Sequence, residues 1–421
     1  MNNNSSVLMK KDKKKFNFKK LSLLFATFGP GMIVMLADTD AGSIVTAAQS
    51  GAQWGYRLLL LQIILIPILY FVQELTNRLG VVTGKGHGEL IRDIFGKHWE
   101  VFSVITLFVA VVGALVTEFT GILGVGILFG VSKWVSVPLA AVGLILITIL
   151  GKYKRIEKIA IFVGLFELVF IVIAIMSHPS PSEILAGMGQ QEFAKASYWL
   201  IISANVGAVI MPWMIFYQQS AVVDKKVDES YIKTSRIDTL IGSVITQVIM
   251  AAVLIAVAAT IGKTNPNAPL NSVQEIVHAI TPFVGENAGK ILFGVGMIGA
   301  ALIAAIVVSL AISWSLGEML NVPSSLDNTW KEAPVFYSIY IAVIVLSAAV
   351  VLSGLPLINL TLAVEILNSL LLPIVLGFLI ALGFKALPEK HALKKWEKIV
   401  LITIYVATCT LGVITAASIF V

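Results

Sequence analysis

Two aspartates, Asp38 and Asp40, lie inside an apolar stretch of the sequence, GPGMIVMLADTDAGSIVTAAQSGAQWGY, which covers residues 29–56. Carboxylates among apolar residues are costly unless they are protonated, hydrated or facing a cation. Three more acids fall well inside apolar runs, namely Glu118, Glu167 and Glu365. No lysine or arginine is expected at comparable depth, so the buried charge is all acidic. This pattern predicts a cation pathway, with a neutral acid bonded to a neighbouring helix as the competing interpretation for Glu167.

The two aspartates coincide with one of two predicted helix interruptions. Asp and Gly disfavour helix, and the run DAGS at 40–43 leaves backbone carbonyls free. The second interruption is predicted in SANVGAVIMPWMIFYQQSA at 203–221, because Pro212 cannot donate a helical hydrogen bond to the carbonyl of Ala208. Open backbone at membrane depth is tolerated where it lines a cavity or binds a ligand. Matched breaks in two halves of a chain indicate an inverted-repeat transporter.

Membrane-spanning helices must position these acids and breaks. The 421-residue chain is 57% hydrophobic and 13% charged, whereas a soluble domain carries roughly a quarter charged residues. We expect an all-α membrane protein with a basic cytoplasmic tail (1–20) and one transmembrane domain (21–421), whose broken spans are the first and the sixth. Eleven spans are predicted near residues 21–56, 57–76, 101–130, 134–151, 157–177, 196–221, 238–262, 288–318, 334–353, 357–384 and 398–420.

The charges of the predicted loops define the orientation. The N-terminal segment MNNNSSVLMKKDKKKFNFKK is basic and lacks the pattern of a signal peptide. Lys and Arg concentrate in the loops on the same side, for example in the loop after the fourth span. We therefore expect a multi-pass protein of the cell membrane with a cytoplasmic N-terminus and an extracellular C-terminus. The net charge of +6 arises from these loops and the tail, so the bilayer, and not nucleic acid, is the expected partner. The only cysteine, Cys409, excludes a disulfide framework.

The residues at the two interruptions resemble those of the Nramp divalent-metal transporters. The similarity is carried by GPG at 29–31, the DAGS run in the place of a DPGN motif, GAQWGY at 51–56 and GAVIMP at 207–212. It implies a leucine-transporter-type 5+5 inverted repeat that works by alternating access. The metal ligands that it implies are Asp40, Ser43, the carbonyl of Ala208 and the thioether of Met211. Glu118 corresponds to a third-helix acid linked in the family to proton movement, and Glu365 falls where the family tends to have glutamine.

Several positions depart from the family pattern. Ala41 replaces a proline, and Trp213 and Met214 replace the histidine and asparagine of MPHN. Leu115 stands where the family usually has a third-helix aspartate. Because that aspartate and that histidine belong to the family's usual proton route, we do not expect tight proton coupling. The additional or retained acids, which are candidates for accessory ligands or a proton path, are Asp38, Glu118 and Glu365.

The ligand set bears on the choice of ion. A thioether favours Mn²⁺ or Fe²⁺, whereas oxygen-only sites suit Mg²⁺ and Mn²⁺. Ser43 in place of asparagine, the missing histidine and the added acids favour a hard, partly hydrated ion. These changes resemble those of the divergent Nramp-related magnesium transporters. We expect an importer of Mg²⁺ and/or Mn²⁺ as transported substrate, with no cofactor, and with Met211 as either a ligand or a packing residue.

Other functions fit the sequence less well. A Na⁺-coupled amino-acid or amine symporter of the same general fold is the main alternative, although acids beside the first break would repel a substrate carboxylate. An intramembrane aspartyl protease needs carboxylates from two helices sharing a proton, and the sequence has no GxGD motif, so no enzyme is expected. A channel could use the same residues as a carrier. The oligomeric state is left open.

Overall fold

The structure, a computed structural model, describes residues 29–261, 270, 272–354 and 357–419. All regular elements within these residues are helical, which confirms the all-α class. The predicted tail (1–20) and the beginning of the first span lie outside the described residues. The helices are α1 (Pro30–Asp38), α2 (Ala41–Trp54), α3 (Leu59–Thr83), α4 (His87–Phe95), α5 (Lys97–Leu128), α6 (Lys133–Leu150), α7 (Tyr153–Gly164), α8 (Val169–Met176), α9 (Pro181–Met188), α10 (Ala196–Val209), α11 (Pro212–Asp224), α12 (Ile232–Ala259), α13 (Val273–Val284), α14 (Glu286–Leu320), α15 (Pro334–Leu352), α16 (Leu357–Lys385) and α17 (Lys395–Ile419). Short 3₁₀ segments lie at Leu165–Leu168, Glu229–Tyr231 and Glu389–His391.

The number of spans agrees with the sequence prediction. Ten helical segments in the described part of the chain are long and apolar enough to cross a membrane, and the bent pair α1–α2 makes an eleventh. The fifth span consists of α7, the 3₁₀ segment Leu165–Leu168 and α8, and the sixth consists of α10 and α11. Spans are numbered below in this way.

The second span is longer than predicted, which corrects the placement of Arg78. The predicted span, 57–76, leaves Arg78 in the loop that follows it, but α3 continues to Thr83. Arg78 is only 3% exposed. Its guanidinium donates to both carboxylate oxygens of Glu74, at 3.0 and 2.6 Å, one turn earlier on the same helix. This ion pair offsets the cost of burying the charged guanidinium of Arg78.

A second carboxylate completes the ion pairs around Arg78. Glu397, at the start of α17, accepts from Arg78 at 2.9 Å, and Arg236 on α12 donates to Glu74 at 2.6 Å. We call Glu74, Arg78, Arg236 and Glu397 the Arg78 cluster. It ties the second, seventh and eleventh spans together by charge-assisted hydrogen bonds.

Burial separates the inner from the outer helices. The first, sixth and eighth spans bury most of their side chains. The fourth and eleventh spans instead expose apolar residues, and Leu139, Leu150 and Val413 are each about 70% exposed. Apolar side chains that face outward along a helix of spanning length suit contact with lipid. The interrupted helices are therefore surrounded by helices that face the lipid.

Close helix packing brings the tenth span to the level of the breaks. α16 packs against α10, and a side-chain carbon on Gly207 would run into the backbone carbonyl oxygen of Glu365. Only glycine permits this approach of two backbones. Glu365 is thereby held next to the interruption of the sixth span.

Candidate ion-binding site

The first span is interrupted where the sequence predicts it. α1 ends at Asp38, α2 begins at Ala41, and the two helices meet at a bend of 45°. Asp40 is the N-cap of α2, where its Oδ1 accepts a hydrogen bond of 2.6 Å from the backbone N–H of Ser43. The second carboxylate oxygen, Oδ2, is buried and has no hydrogen-bond partner among the described residues. Asp40 therefore combines a fixed position with an open acceptor.

Ser43 joins the break of the first span to the break of the sixth. Its hydroxyl oxygen lies 2.8 Å from the backbone carbonyl of Asp38 and 2.8 Å from that of Ala208. A hydroxyl has one proton to donate, so it satisfies one of these carbonyls at a time. The carbonyl of Ala208 is free for this contact because the residue four positions later is Pro212. The carbonyl of Ala208 thus lacks a helical hydrogen bond, as Pro212 in the sequence predicts.

Met211 lies at the same break, but its sulfur already has a partner. It is the N-cap of α11 and is completely buried. The indole N–H of Trp213 points at its Sδ over a distance of 3.1 Å. A thioether is a weak acceptor, and this contact engages one of the two sulfur lone pairs. Trp213, which stands in place of the histidine of MPHN, thus competes with a soft metal for the sulfur of Met211.

Glu365 reaches the first break from the tenth span. A side-chain carbon on Gly42 would run into Glu365 Oε1 and would lie 3.3 Å from Asp40 Oδ1. The carboxylates of Asp40 and Glu365 therefore border the same glycine. Asn368 donates to Glu365 Oε2 at 3.1 Å, whereas Oε1 is buried without a partner in the part of the chain that the structure describes. Glu365 has one oxygen fixed and one open, as Asp40 has.

Glu118 approaches the same break from the third span. Its Oε2 accepts from the backbone N–H of Ala41 at 3.2 Å, which is an otherwise unpaired donor at the start of α2. Its Oε1 lies 3.3 Å from the hydroxyl of Thr117. The carboxyl groups of Glu118 and Asp40 interact directly, and Glu118 also interacts electrostatically with Glu365. The three carboxyls therefore form one group around the start of α2.

Two further buried acids have other neighbours, although both also interact electrostatically with Asp40. Asp38 lies at the end of α1, with Oδ2 at 3.4 Å from the hydroxyl of Thr246 on the seventh span. Glu167 lies in the 3₁₀ segment of the fifth span, and neither of its oxygens has a hydrogen-bond partner within the described ranges. Of the predicted residues, the structure thus brings together Asp40, Ser43, Ala208, Met211, Glu118 and Glu365, and sets Asp38 apart.

Sequence reasoning missed Gly42, Asn368 and Thr246 as neighbours of these acids. A glycine in DAGS was recognisable as a helix breaker, whereas its role as the gap for Glu365 depends on the packing of the tenth span. No group of three or more His, Cys, Asp or Glu side chains in the described residues has the geometry of a metal site. An ion bound here would need backbone carbonyls, a hydroxyl or water as further ligands. The carbonyls of Asp38 and Ala208, at the two breaks, are placed to serve in this way.

Comparison with known proteins identifies the family. The family described as natural resistance-associated macrophage protein-like, or Nramp, matches residues 31–418 of the chain. The chain belongs to the Nramp family. The divalent metal cation transporter MntH of Vibrio campbellii is 27% identical over 305 residues, which cover 70% of this chain and 71% of that protein. The expected resemblance is confirmed, and this relative is named as a transporter and not as an enzyme.

Solved structures confirm the fold of this Nramp protein. The manganese transporter of Eremococcus coleocola, in complex with an aromatic bis-isothiourea compound, aligns with a TM-score of 0.75 at 20% identity. The alignment covers 96% of this chain and 88% of that one. MhsT in complex with L-phenylalanine aligns with a TM-score of 0.66 at 14% identity, covering 92% of this chain and 98% of that one. The same helical fold therefore occurs in a manganese transporter and in a protein that binds L-phenylalanine, and at these identities the likeness shows the fold alone.

Proposed function

We propose that this Nramp protein imports divalent metal cations, Mg²⁺ and also Mn²⁺, by alternating access. The ion binds between the interrupted first and sixth spans. The observation that carries the proposal is the convergence of Asp40, with its open Oδ2, and the freed carbonyls of Asp38 and Ala208 on the hydroxyl of Ser43. Freed carbonyls and a carboxylate at the ends of broken helices are suited to a cation.

The charge at the site supports a divalent ion. Asp40 and Glu365 flank Gly42 and together supply two negative charges when ionised. Two buried charges of one sign are stable only with a compensating cation or with protons. A divalent cation balances the pair without a basic residue. The relative from Vibrio campbellii is named as a divalent metal cation transporter, which agrees with this inference.

The state of the thioether supports a hard ion over a soft one. The hydrogen bond from Trp213 to Met211 Sδ competes with a metal for the sulfur. The remaining ligands are oxygens of Asp40, Glu365, Ser43 and backbone carbonyls, which suit Mg²⁺ and Mn²⁺. Mg²⁺ retains water readily, and the short side chain of Ser43 in place of asparagine leaves room for it. We therefore place Mg²⁺ first and Mn²⁺ second.

The membrane potential is a sufficient driving force for this uptake. Moving two positive charges across 100 mV gains roughly 4.6 kcal/mol, which is twice the value for one charge. The position of the histidine in MPHN is held by Trp213, which cannot carry a proton, and the usual third-helix aspartate is Leu115. These replacements support uptake without stoichiometric proton transport, although Glu118 remains as a candidate proton-path acid. Import is toward the cytoplasmic side, on which the basic tail is expected.

A Na⁺-coupled amino-acid or amine symporter remains the second candidate only through the fold shared with MhsT. Its substrate carboxylate would lie beside the start of α2, where Asp40, Glu118 and Glu365 converge. Repulsion among these charges and a substrate carboxylate disfavours the binding. The family match also does not favour this reading.

Reconstituted protein tests the proposal. The purified chain is placed in liposomes, an inside-negative potential is imposed with a potassium gradient and valinomycin, and entry of Mg²⁺ and Mn²⁺ is followed with lumenal dyes. We expect saturable uptake of both ions that Asp40→Ala abolishes. A lumenal pH dye should report no proton entry above that of empty liposomes.

The matched control is Asp327→Ala, which removes an aspartate from an exposed loop. It should transport as the native protein does. Unchanged uptake in Asp40→Ala would refute the site, and uptake of alanine or leucine in place of metal would favour the symporter.

A further inference from the structure

Two buried carboxylates, Asp38 and Glu167, are not used by the site described above. Asp38 is 1% exposed and Glu167 is completely buried. Oδ1 of Asp38 and both carboxylate oxygens of Glu167 lack hydrogen-bond partners among the described residues. Buried polar atoms of native proteins nearly always have partners, so three such oxygens in one region require an explanation.

Three different spans bring these acids to one place. Asp38 ends α1, and Thr39 follows it in the break of the first span. Thr246 on the seventh span hydrogen-bonds with both, at 2.6 Å from the hydroxyl of Thr39 and at 3.4 Å from Oδ2 of Asp38. Glu167 faces this arrangement from the fifth span, since its carboxyl group interacts with the side chain of Thr39 and, electrostatically, with Asp40 and Asp38. The fully buried Glu167 is thus aimed at the end of α1.

The backbone around Glu167 is itself irregular. The fifth span changes from α-helix to 3₁₀-helix at Leu165–Leu168 and back again at Val169. A 3₁₀ stretch in the middle of a helix often marks a functional position. The residue just before this segment, Gly164, lies against α1, because a side-chain carbon on Gly164 would lie 2.9–3.0 Å from atoms of Leu36. The 3₁₀ segment of the fifth span therefore begins close to the last turn of α1.

The chemistry of this group is that of a hard cation site. Its side chains offer two carboxylates and two hydroxyls, with neither sulfur nor imidazole, and oxygen-only sites select hard ions. The charged groups that influence Asp38 are Asp40 and Glu365, and those that influence Glu167 are Asp38 and Asp40. All of them are acidic, so the two carboxyls are neutralised either by protons or by a cation from outside the chain.

We propose a second cation site, formed by Asp38, Glu167, Thr39 and Thr246, that holds a hard divalent cation such as Mg²⁺. It is distinct from the site of Asp40, whose partners come from the third, sixth and tenth spans. The ion bridges the end of α1 to the fifth and seventh spans. Its presence therefore holds α1 in the position seen in this structure, and its loss frees α1 to move. The inference does not depend on transport at the Asp40 site.

Binding stoichiometry tests this site directly. Isothermal titration of Mg²⁺ into the metal-free, detergent-purified full chain should give two ions per chain. Asp38→Asn combined with Glu167→Gln should give one, and so should Asp40→Ala. The combination of all three substitutions should bind none. Thr246→Val, which removes only a hydroxyl, should weaken one of the two binding events and leave the other unchanged.

The control is Glu318→Gln, which neutralises another buried acid, at the end of α14, that is bonded to Ser220. It should retain two ions per chain. One ion per native chain would overturn the second site, because protons would then neutralise Asp38 and Glu167. Two ions in the Asp38→Asn and Glu167→Gln variant would overturn it as well. Retention of both ions in Asp40→Ala would instead refute the first site and leave the second standing.

Discussion

The break in the first span and the Arg78 cluster are both buried, and both are rich in carboxylates. At the break, the described partners of Asp40 and Glu365 are backbone N–H groups, an amide and other acids. In the Arg78 cluster, Glu74 and Glu397 are bonded to two guanidinium groups at 2.6–2.9 Å. The charges of the cluster balance within the chain, whereas those at the break do not. The same side-chain type thus stabilises the fold in one region and is suited to receive a cation in the other.

Removal of Arg78 should produce the largest effect on stability. Arg78→Ala leaves Glu74 and Glu397 buried without their main counter-charge, and breaking a buried pair in this way costs about 3–5 kcal/mol. The free energy of unfolding, measured by denaturant titration in detergent, should fall by that amount, while Mg²⁺ affinity of the folded protein should not change. Lys390→Ala, in an exposed pair with Glu229, is the control and should have little effect. An unstable Arg78→Ala protein that also lost Mg²⁺ binding would show that the two regions are not independent.

Acid should destabilise the protein through His87, a buried histidine outside the membrane-spanning helices. His87, at the start of α4, is completely buried, and its Nδ1 lies 2.9 Å from Oε1 of Gln219. Burial lowers the pKa of His87 from 6.5 to about 4. A pKa lowered by folding means that the unfolded chain binds the proton more tightly, so stability is complete above pH 6.5 and is lost as the pH falls toward 4. The loss reaches about 3 kcal/mol per molecule.

The difference between His87→Gln and the native protein isolates this contribution. Glutamine can replace the hydrogen bond to Gln219 but cannot titrate. The midpoint of denaturation should therefore depend less on pH between 6.5 and 4 in the variant. Parallel pH curves for the two proteins would show that His87 does not titrate in the native state as expected.

Neutralising an acid at the break should change the free energy of unfolding in the opposite direction to the loss of Arg78. Glu365→Gln keeps the shape of the side chain and an acceptor for Asn368 but removes one unbalanced charge. The metal-free protein should become more stable by about 1 kcal/mol, because the buried charge is no longer uncompensated. In contrast, Mg²⁺ should stabilise the variant less than it stabilises the native protein, by about 1.4 kcal/mol if binding weakens tenfold. Equal stabilisation by Mg²⁺ in both proteins would remove Glu365 from the site.

The smallest expected effect concerns the choice of ion. Trp213→Phe deletes the N–H that bonds to Met211 Sδ and keeps an aromatic ring in the buried position. The freed sulfur should raise the affinity for Mn²⁺ relative to Mg²⁺ by about tenfold, or about 1.4 kcal/mol. Competition binding with both ions measures the ratio, and Trp213→Phe combined with Met211→Ala should cancel the gain. If neither substitution changes the ratio of the Mn²⁺ and Mg²⁺ affinities, Met211 is a packing residue and not a ligand.

The sequence carries enough information to place the two helix breaks, because their causes are local. Proline at 212 and the run DAGS at 40–43 disrupt the helix wherever they occur in it, and the freed carbonyl of Ala208 follows from Pro212 alone. The family match confirms the class of protein that these breaks imply. The roles of the individual ligands stay predictions that the experiments above address.

The partners of the remaining charges could not be predicted, because they are far away in the chain. The sequence predicts a loop at Arg78 because the apolar run ends near residue 76, and the partner that allows its burial, Glu397, lies 319 positions later. Asp38 had no explanation in the sequence, and its contact with Thr246 spans 208 positions. The bond between Trp213 and Met211 joins near neighbours, but it depends on side-chain rotamers that the sequence does not specify. Tertiary packing therefore decides which acids are paired and which are open.

The location of a bound ion tests the central claim most directly. Crystals of the protein soaked with Mn²⁺ give an anomalous signal that marks the ion independently of the protein atoms. We predict a peak within coordination distance of Oδ2 of Asp40 and of the carbonyl of Ala208, with Glu365 facing it across Gly42, and no such peak in Asp40→Ala crystals. A strong Mn²⁺ peak elsewhere in the membrane domain, with none between the two breaks, would contradict the account.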